Sequence, residues 1–361
     1  MTGLSEDAVS TALRSIDLVS HYTLQQWEAL IRQARPANVL SRIALSVADA
    51  GLMDRVPAAP RAHLQAAITV AHAQAEAVRQ EVAHIERALA PLATDVILLK
   101  GAAYFMAELP AARGRVFSDV DILVPRDALP QVEAELMLNG WATTHLHAYD
   151  QRYYRRWMHE LPPMLHVTRN TVLDVHHAIL PATARLRPDS RKLIAASRAL
   201  ESAPGLRVLA PVDMILHSAT HLFYNEDLSS GLRDIADLDS LMRGFSAAPE
   251  FWRELTERAA ELDLTRPLFY ALRYSARMMD TPVAPSALRA LASAAPPSWV
   301  VSMMDSIYMR ALRPHHSLAE DALTPFARRA LYVRAHWLRM PPHLLALHLS
   351  VKALRREEAD P

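Results

Sequence analysis

The sequence predicts an α+β fold, a small mixed β-sheet core set between two helical regions, and three observations predict it. Strand-like segments are confined to the stretch from about Asp95 to Leu180. On both sides of it, apolar residues recur at helical spacing between prolines. Glycine is scarce, 8 in 361 residues, against abundant alanine, leucine and arginine, a balance that favours helix over sheet. The expected organisation is a helical region over residues 1–92, the mixed core over 93–182, and a second helical region over 183–361.

The elements follow in order. In TLQQWEALIRQARP, Trp27, Leu30, Ile31 and Ala34 mark one helix face and Pro36 ends it. Val56 to Pro60 (VPAAP) is expected to be a linker, and Arg61 to Leu89 one long helix. At Asp95 the pattern changes. DVILLKG is a short β-branched run ending in glycine, so a buried strand is expected, then a helix from about Ala102 to Glu108. Phe117 to Val124 (FSDVDILV) is the second strand, closed by Pro125. RDALPQVEAELMLNG is a helix stopped by Asn139 and Gly140. WATTHLHAY, PPMLHVTRN and TVLDVHHAI alternate as strands do, with Arg169 and Asn170 as the turn between the last two. Helices are expected at Pro211–Phe223, Gly231–Arg243, Pro249–Leu262, Arg266–Met279 and Pro285–Ala294, and through most of the last sixty residues.

Composition removes several classes of function. A formal charge of +0 gives no global field to attract nucleic acid, and none is expected as a partner. The chain has no cysteine, which excludes disulfides, thiolate catalysis and zinc-thiolate sites. The amino terminus lacks a basic start followed by an apolar run, and no stretch reaches the ~18 uninterrupted apolar residues of a spanning helix. The expected compartment is the cytoplasm.

The chemistry gathers at FSDVDILV. Side chains alternate along a strand, so Asp119 and Asp121 share one face while Val120, Ile122 and Val124 take the other. Two adjacent carboxylates repel and lose hydration unless a cation lies between them. Hard oxygen ligands suit magnesium, with manganese as a substitute, completed by substrate phosphates. On TVLDVHHAI, Val172, Asp174 and His176 face one way. If that strand neighbours FSDVDILV, Asp174 completes a carboxylate trio. Taken singly, each aspartate is as readily a satisfied structural group as a ligand. Such a trio suits nucleotidyl transfer, in which two magnesium ions about 3.5 to 4 Å apart stabilise the attacking and leaving oxygens, and one carboxylate also accepts the hydroxyl proton.

Around the trio, LLKGAA runs a strand into Lys100, Gly101 and a helix start, a place for phosphate. Arg113 and Arg115 are candidate phosphate clamps, with a solvated loop as the bland alternative, stronger for Arg113. His176 is a candidate phosphate contact or orienting group. His159 and Glu160, within YYRRWMHELPP, lie among Tyr153, Tyr154, Arg155, Arg156 and Trp157, a cluster suited to holding an acceptor or to packing its rings inward. His217 and His221 are four apart on one helix face and, with Asp234, form an alternative metal set for phosphate hydrolysis, although core histidines are the commoner reading. Asp234, Asp237 and Asp239 otherwise read as ion-pair partners of Arg233 and Arg243. The carboxy-terminal stretch from Phe326 to Arg356 has seven lysines and arginines and no acid, which permits peripheral contact with an anionic surface but more commonly marks a solvated helix face.

KGAAYF, RVFSDVDILVPRDALPQVEAELMLNGW and TVLDVHHAIL together resemble bacterial nucleotidyltransferases of the polymerase-β-like superfamily, over about Leu92 to Leu180. LAPVDMILHSATHLF and LRDIADLDSLM are similar in kind to that family's carboxy-terminal helices. The resemblance implies transfer of a nucleoside monophosphate from a nucleoside triphosphate co-substrate to an acceptor. It assigns Asp119 and Asp121 to the metal-binding pair, Asp174 to the third carboxylate, and Lys100 and Gly101 to the nucleotide loop. The superfamily's glycine-serine is Gly101-Ala102 here, so a triphosphate-binding hydroxyl is missing and Lys100 or Ser118 must compensate. A nucleotide-binding module without turnover therefore stands as an alternative. The acceptor, whether small molecule, glycan or peptide, is not encoded; the resemblance associates it with peptide-modification or cell-surface polysaccharide pathways.

Overall fold

The computed structural model describes residues 8–144, 151, 154–155, 157–341 and 343–344. Tyr153, Arg156 and most of the basic carboxy-terminal stretch beyond Pro341 lie outside the described residues, as does the end of the expected strand WATTHLHAY.

The amino-terminal helices are α1 (Ala8–Arg14), α2 (Leu24–Ala34), α3 (Leu40–Asp49) and α4 (Ala58–Leu89). A capping box starts α2: the Thr23 side chain accepts from Gln26 N, and Gln26 reaches back to the Thr23 N–H. VPAAP is not a linker throughout. Pro57 caps α4 and Pro60 sits in its first turn, where a missing N–H costs nothing, so the helix absorbs part of the expected break. Along α4, Leu64, Ala71, Val78, Val82 and Ile85 form one buried stripe packed on α3 and on the core helices.

The sheet is mixed and has seven strands: β1 (Ile97–Leu98), β2 (Asp119–Leu123), β3 (Trp141–Thr143), β4 (Met164–His166), β5 (Val172–His176), β6 (Arg198–Ala199) and β7 (Arg207–Val208). Their order is β3-β4-β5-β2-β1-β7-β6. β2 runs parallel to β5 and antiparallel to β1, and β1 runs parallel to β7. Asn170, with φ 57, turns β4 into β5, as the sequence anticipates. Two other helices frame the core, α5 (Lys100–Met106) and α6 (Leu129–Leu138), the latter ending at Asn139 and at Gly140 with φ 96.

The region from residue 183 is not purely helical, because β6 and β7 extend the sheet at its β1 edge. Two-residue strands carry no alternation to read. The helices beyond are α7 (Ser190–Ala196), α8 (Pro211–Tyr224), α9 (Gly231–Phe245), α10 (Phe251–Glu261), α11 (Thr265–Met279), α12 (Pro285–Ala290), α13 (Ser298–Ala311) and α14 (Thr324–Arg339). α8 is buried along nearly its whole length between α9, α10, α11 and α14. Phe223 of α8 packs its ring among those of Tyr270, Tyr274 and Tyr308. One hydrophobic cluster runs from Val9 through the sheet to Leu331, so all three stretches of sequence share a core. Among the described residues, no helix is long and apolar enough to cross a membrane.

Candidate functional site

Parallel pairing of β2 with β5 sets Asp121 directly beside Asp174, Asp119 beside Val172, and Leu123 beside His176. Register and alternation together put Asp119, Asp121, Asp174 and His176 on one face of the sheet. Val120, Ile122, Leu173 and Val175 point into the core and fix that register, since a one-residue slip would bury the acids instead.

Asp121 is 4 % exposed and is the hub of the face. Lys100 leaves β1 in the left-handed region, φ 46, a conformation that costs a non-glycine residue on the order of 1 kcal/mol. Its Nζ donates to Asp121 Oδ1 at 2.9 Å. His176 Nε2 lies 3.0 Å from the same oxygen, and His176 Nδ1 lies 3.2 Å from Glu160 Oε2. Burial pushes the Asp121 carboxyl up, but Lys100 and His176 outweigh it and hold the group well below the usual range. His176 is raised: burial opposes its charge, and Asp121 and Glu160 overcome that. Asp174 goes the other way. Burial, then the neighbouring Asp121, push it up to about 7, and its buried Oδ1 has no hydrogen-bond partner. Asp119 accepts from Ser118 Oγ at 2.9 Å, which orients its carboxylate.

The three aspartates share a face without closing on one point. Among the described residues, the group whose ligand atoms all lie within 4.8 Å of one another is His159, Glu160 and His176. Glu160 is bridged in antiparallel fashion to His176, and Leu161 N donates to Val175 O at 2.8 Å, so the segment bearing His159 and Glu160 is hydrogen-bonded to the end of β5.

A cavity of about 640 Å³ opens over this face. Lys100, Asp119, Asp121, Asp174 and His176 form its floor; His159, Glu160 and Tyr154 form one wall. α8 contributes Thr220, His221 and Tyr224, and α14 contributes His336 and Arg339. Residues of the helical region thus line the cleft opposite the sheet. Glu226, Asn225 and Arg339 were not foreseen, because nothing in their local sequence distinguishes them; only the packing of α14 against α8 brings them here.

Several expected ligands lie elsewhere. Arg115 is no phosphate clamp in this structure: it is 8 % exposed, and its Nε donates to Asp237 Oδ2 at 2.8 Å, with Arg42 on the carboxylate's other oxygen. Its guanidinium occupies the space a Cβ on Gly101 would need, so the glycine serves the approach of Arg115. Arg113 pairs with Asp49 and Arg155 with Glu133 at the surface. The phosphohydrolase set is not assembled either. Asp234 is held by Arg233 on α9, and His217 is a buried histidine that burial lowers to about 3. His221 lines the cavity and is held neutral by burial and by Lys100. Asp239 pairs with Arg243 at 2.7 Å, as its sequence context implied.

Fold and site together define an α+β protein with an acidic sheet face at the floor of a cleft roofed by helices. The chain belongs to a family of nucleotidyltransferases, one described as uncharacterised, whose profile matches residues 23–280. That span runs from α2 through α11 and takes in every strand of the sheet. Membership supports nucleotidyl transfer as the general function, with a nucleotide as substrate. No protein of curated function matches the chain.

Proposed function

We propose that this protein transfers a nucleoside monophosphate from a nucleoside triphosphate to an acceptor hydroxyl, with magnesium or manganese held by Asp119, Asp121 and Asp174. The observation that carries this reading is the Asp121–Asp174 pair, in register on adjacent strands beneath the cavity, with one buried carboxylate oxygen left without a partner. The donors are of the type a hard cation takes, carboxylate oxygens on one face with open space above for phosphate, and a bound cation would have to draw the three together, since they do not close on one point without it. When bound, magnesium would supply positive charge to the triphosphate and to the oxygens that gain negative charge during transfer.

The chain's own residues do the rest. Lys100 neutralises Asp121 and lies at the cleft floor, within reach of a phosphate oxygen. Asp174, on the face below the cavity, accepts the proton of the attacking hydroxyl. Ser118 and His176 orient Asp119 and Asp121. The walls from α8 and α14 exclude water and select the acceptor. A second reading is a nucleotide-binding module without turnover; it is favoured by Ala102 in place of a serine and by Lys100 already bound to a would-be ligand.

A thermal-shift screen of the four nucleoside triphosphates, with and without magnesium, tests the proposal. Magnesium-dependent stabilisation is expected for wild type and should disappear in Asp119→Asn. Equal stabilisation without magnesium, or in the variant, would sink it. Pyrophosphate release over a panel of hydroxyl acceptors separates transferase from binding module.

A further inference from the structure

His159, Glu160 and His176 are absorbed only in part by the reading above, and their arrangement has its own chemistry. His176 is nine-tenths buried and stands between two carboxylates, with Nε2 3.0 Å from Asp121 Oδ1 and Nδ1 3.2 Å from Glu160 Oε2. The His159 ring lies beside it, centroids 5.3 Å apart and tilted by 33°. His159 Nε2 is 3.9 Å from the same Glu160 oxygen, and its Nδ1 is buried without a partner. Two imidazoles and one carboxylate, all on hydrogen-bonded backbone, therefore converge on one edge of the cavity.

We infer that His159, Glu160 and His176 form a second cation site, separate from the three aspartates, for a divalent transition metal such as zinc or cobalt. The donor set decides the class of ion. Two nitrogens and one oxygen suit zinc and its first-row neighbours and are poor ligands for magnesium, which prefers oxygen alone. Two histidines and a glutamate would leave a coordination position open, and all three residues line the cavity. Asp121 then has a further role. It accepts from Nε2 of His176 while Nδ1 faces the metal, the carboxylate–histidine–metal arrangement that fixes a ligand's tautomer and raises its basicity. Through that one imidazole the two sites touch: a cation beside His176 polarises the hydrogen bond to Asp121. The rival is a protonated His176 that bridges its two carboxylates with no metal.

Tag-free, full-length protein stripped with a chelator is titrated with Co2+ in excess Mg2+, following the visible absorption of nitrogen-bound cobalt and the heat of binding. One equivalent of Co2+ should bind, with Zn2+ displacing it. His159→Ala and Glu160→Gln should each weaken binding by at least about tenfold, the loss that even outer-shell changes produce. Asp119→Asn should bind Co2+ as wild type does, which separates this site from the nucleotide reading. Circular dichroism melts report whether each variant is folded; Glu160→Gln, nearly isosteric, serves if His159→Ala is not. Absence of saturable Co2+ and Zn2+ binding to wild type overturns the inference. So does binding that Glu160→Gln leaves unchanged, or that Asp119→Asn abolishes.

Discussion

Asp174→Asn should make the metal-free protein more stable while removing its function. The carboxyl of Asp174 is raised from an ordinary 3.8 to about 7, by burial and by Asp121 directly opposite. Below about pH 4 both folded and unfolded chains hold the proton and the group contributes nothing. Between pH 4 and 7 the folded protein holds a proton that the unfolded chain has released, so stability falls as pH rises. Above pH 7 the penalty is complete. A difference of about three in pKa, at about 1.4 kcal/mol each, sets a ceiling of about 4 kcal/mol. Asparagine carries no charge and offers an N–H toward Asp121, so it removes that penalty. Urea unfolding in chelator at pH 8 should show the variant more stable by at least about 1 kcal/mol, with the gap closing toward pH 4. A variant less stable than wild type at pH 8, or a gap independent of pH, would refute the picture of a carboxylate held at a cost for a ligand.

Asp121→Asn should act in the opposite direction, because it leaves Lys100 buried without its partner: a loss of about 3–5 kcal/mol is expected at pH 7 by urea unfolding. As Asp121 is held below its ordinary range, wild type's advantage is present at neutral pH and is lost as pH falls well below 4. Gly101→Ala places a Cβ 2.9 Å from Arg115 Cζ and 3.0 Å from Phe117 Cδ1, both in packed surroundings, so about 1–3 kcal/mol of stability should be lost; a wild-type melting curve would show that Arg115 moves freely. Asp237→Asn strands Arg42 and Arg115, which tie α3 and the segment before β2 to α9. About 3–5 kcal/mol should be lost, read by denaturation, and Arg115→Met combined with Asp237→Leu should recover part of it.

What could be read in advance follows from physics of short range. β2 and β5 were legible because acids alternate with Val120, Ile122, Leu173 and Val175, and α8 to α11 because prolines and apolar stripes delimit them. Placement of Asp174 beside Asp121 needed only the assumption that the two strands are neighbours. The destinations of the cations were hidden. Arg115 meets Asp237 122 residues later in the chain, and nothing near either residue encodes the other. Lys100 was expected to face phosphate, yet in the free protein the nearest anion on its own sheet claims it. Glu160 gave no local sign that it would bridge to His176, since that contact depends on how the chain returns to the end of β5.

The treatment of buried charge separates scaffold from site. Several ions buried in the scaffold are held by paired contacts: Arg258 donates twice to Asp213, Arg169 donates twice to Glu81, and Asp237 has two guanidinium partners. The cleft holds a cluster of unmet groups. Asp174 Oδ1, His159 Nδ1 and Thr220 Oγ1 are buried polar atoms without partners, and all three residues line the one cavity. Lys100, also on the cavity lining, holds a left-handed backbone conformation, φ 46. Asp174→Asn is expected to leave the metal-free fold more stable, so the fold itself does not account for a carboxylate at this position. On the proposed reading, an incoming cation and phosphate would complete the unmet hydrogen-bonding and charge opposite Asp121 at once, so that binding energy and catalytic position would come from the same atoms.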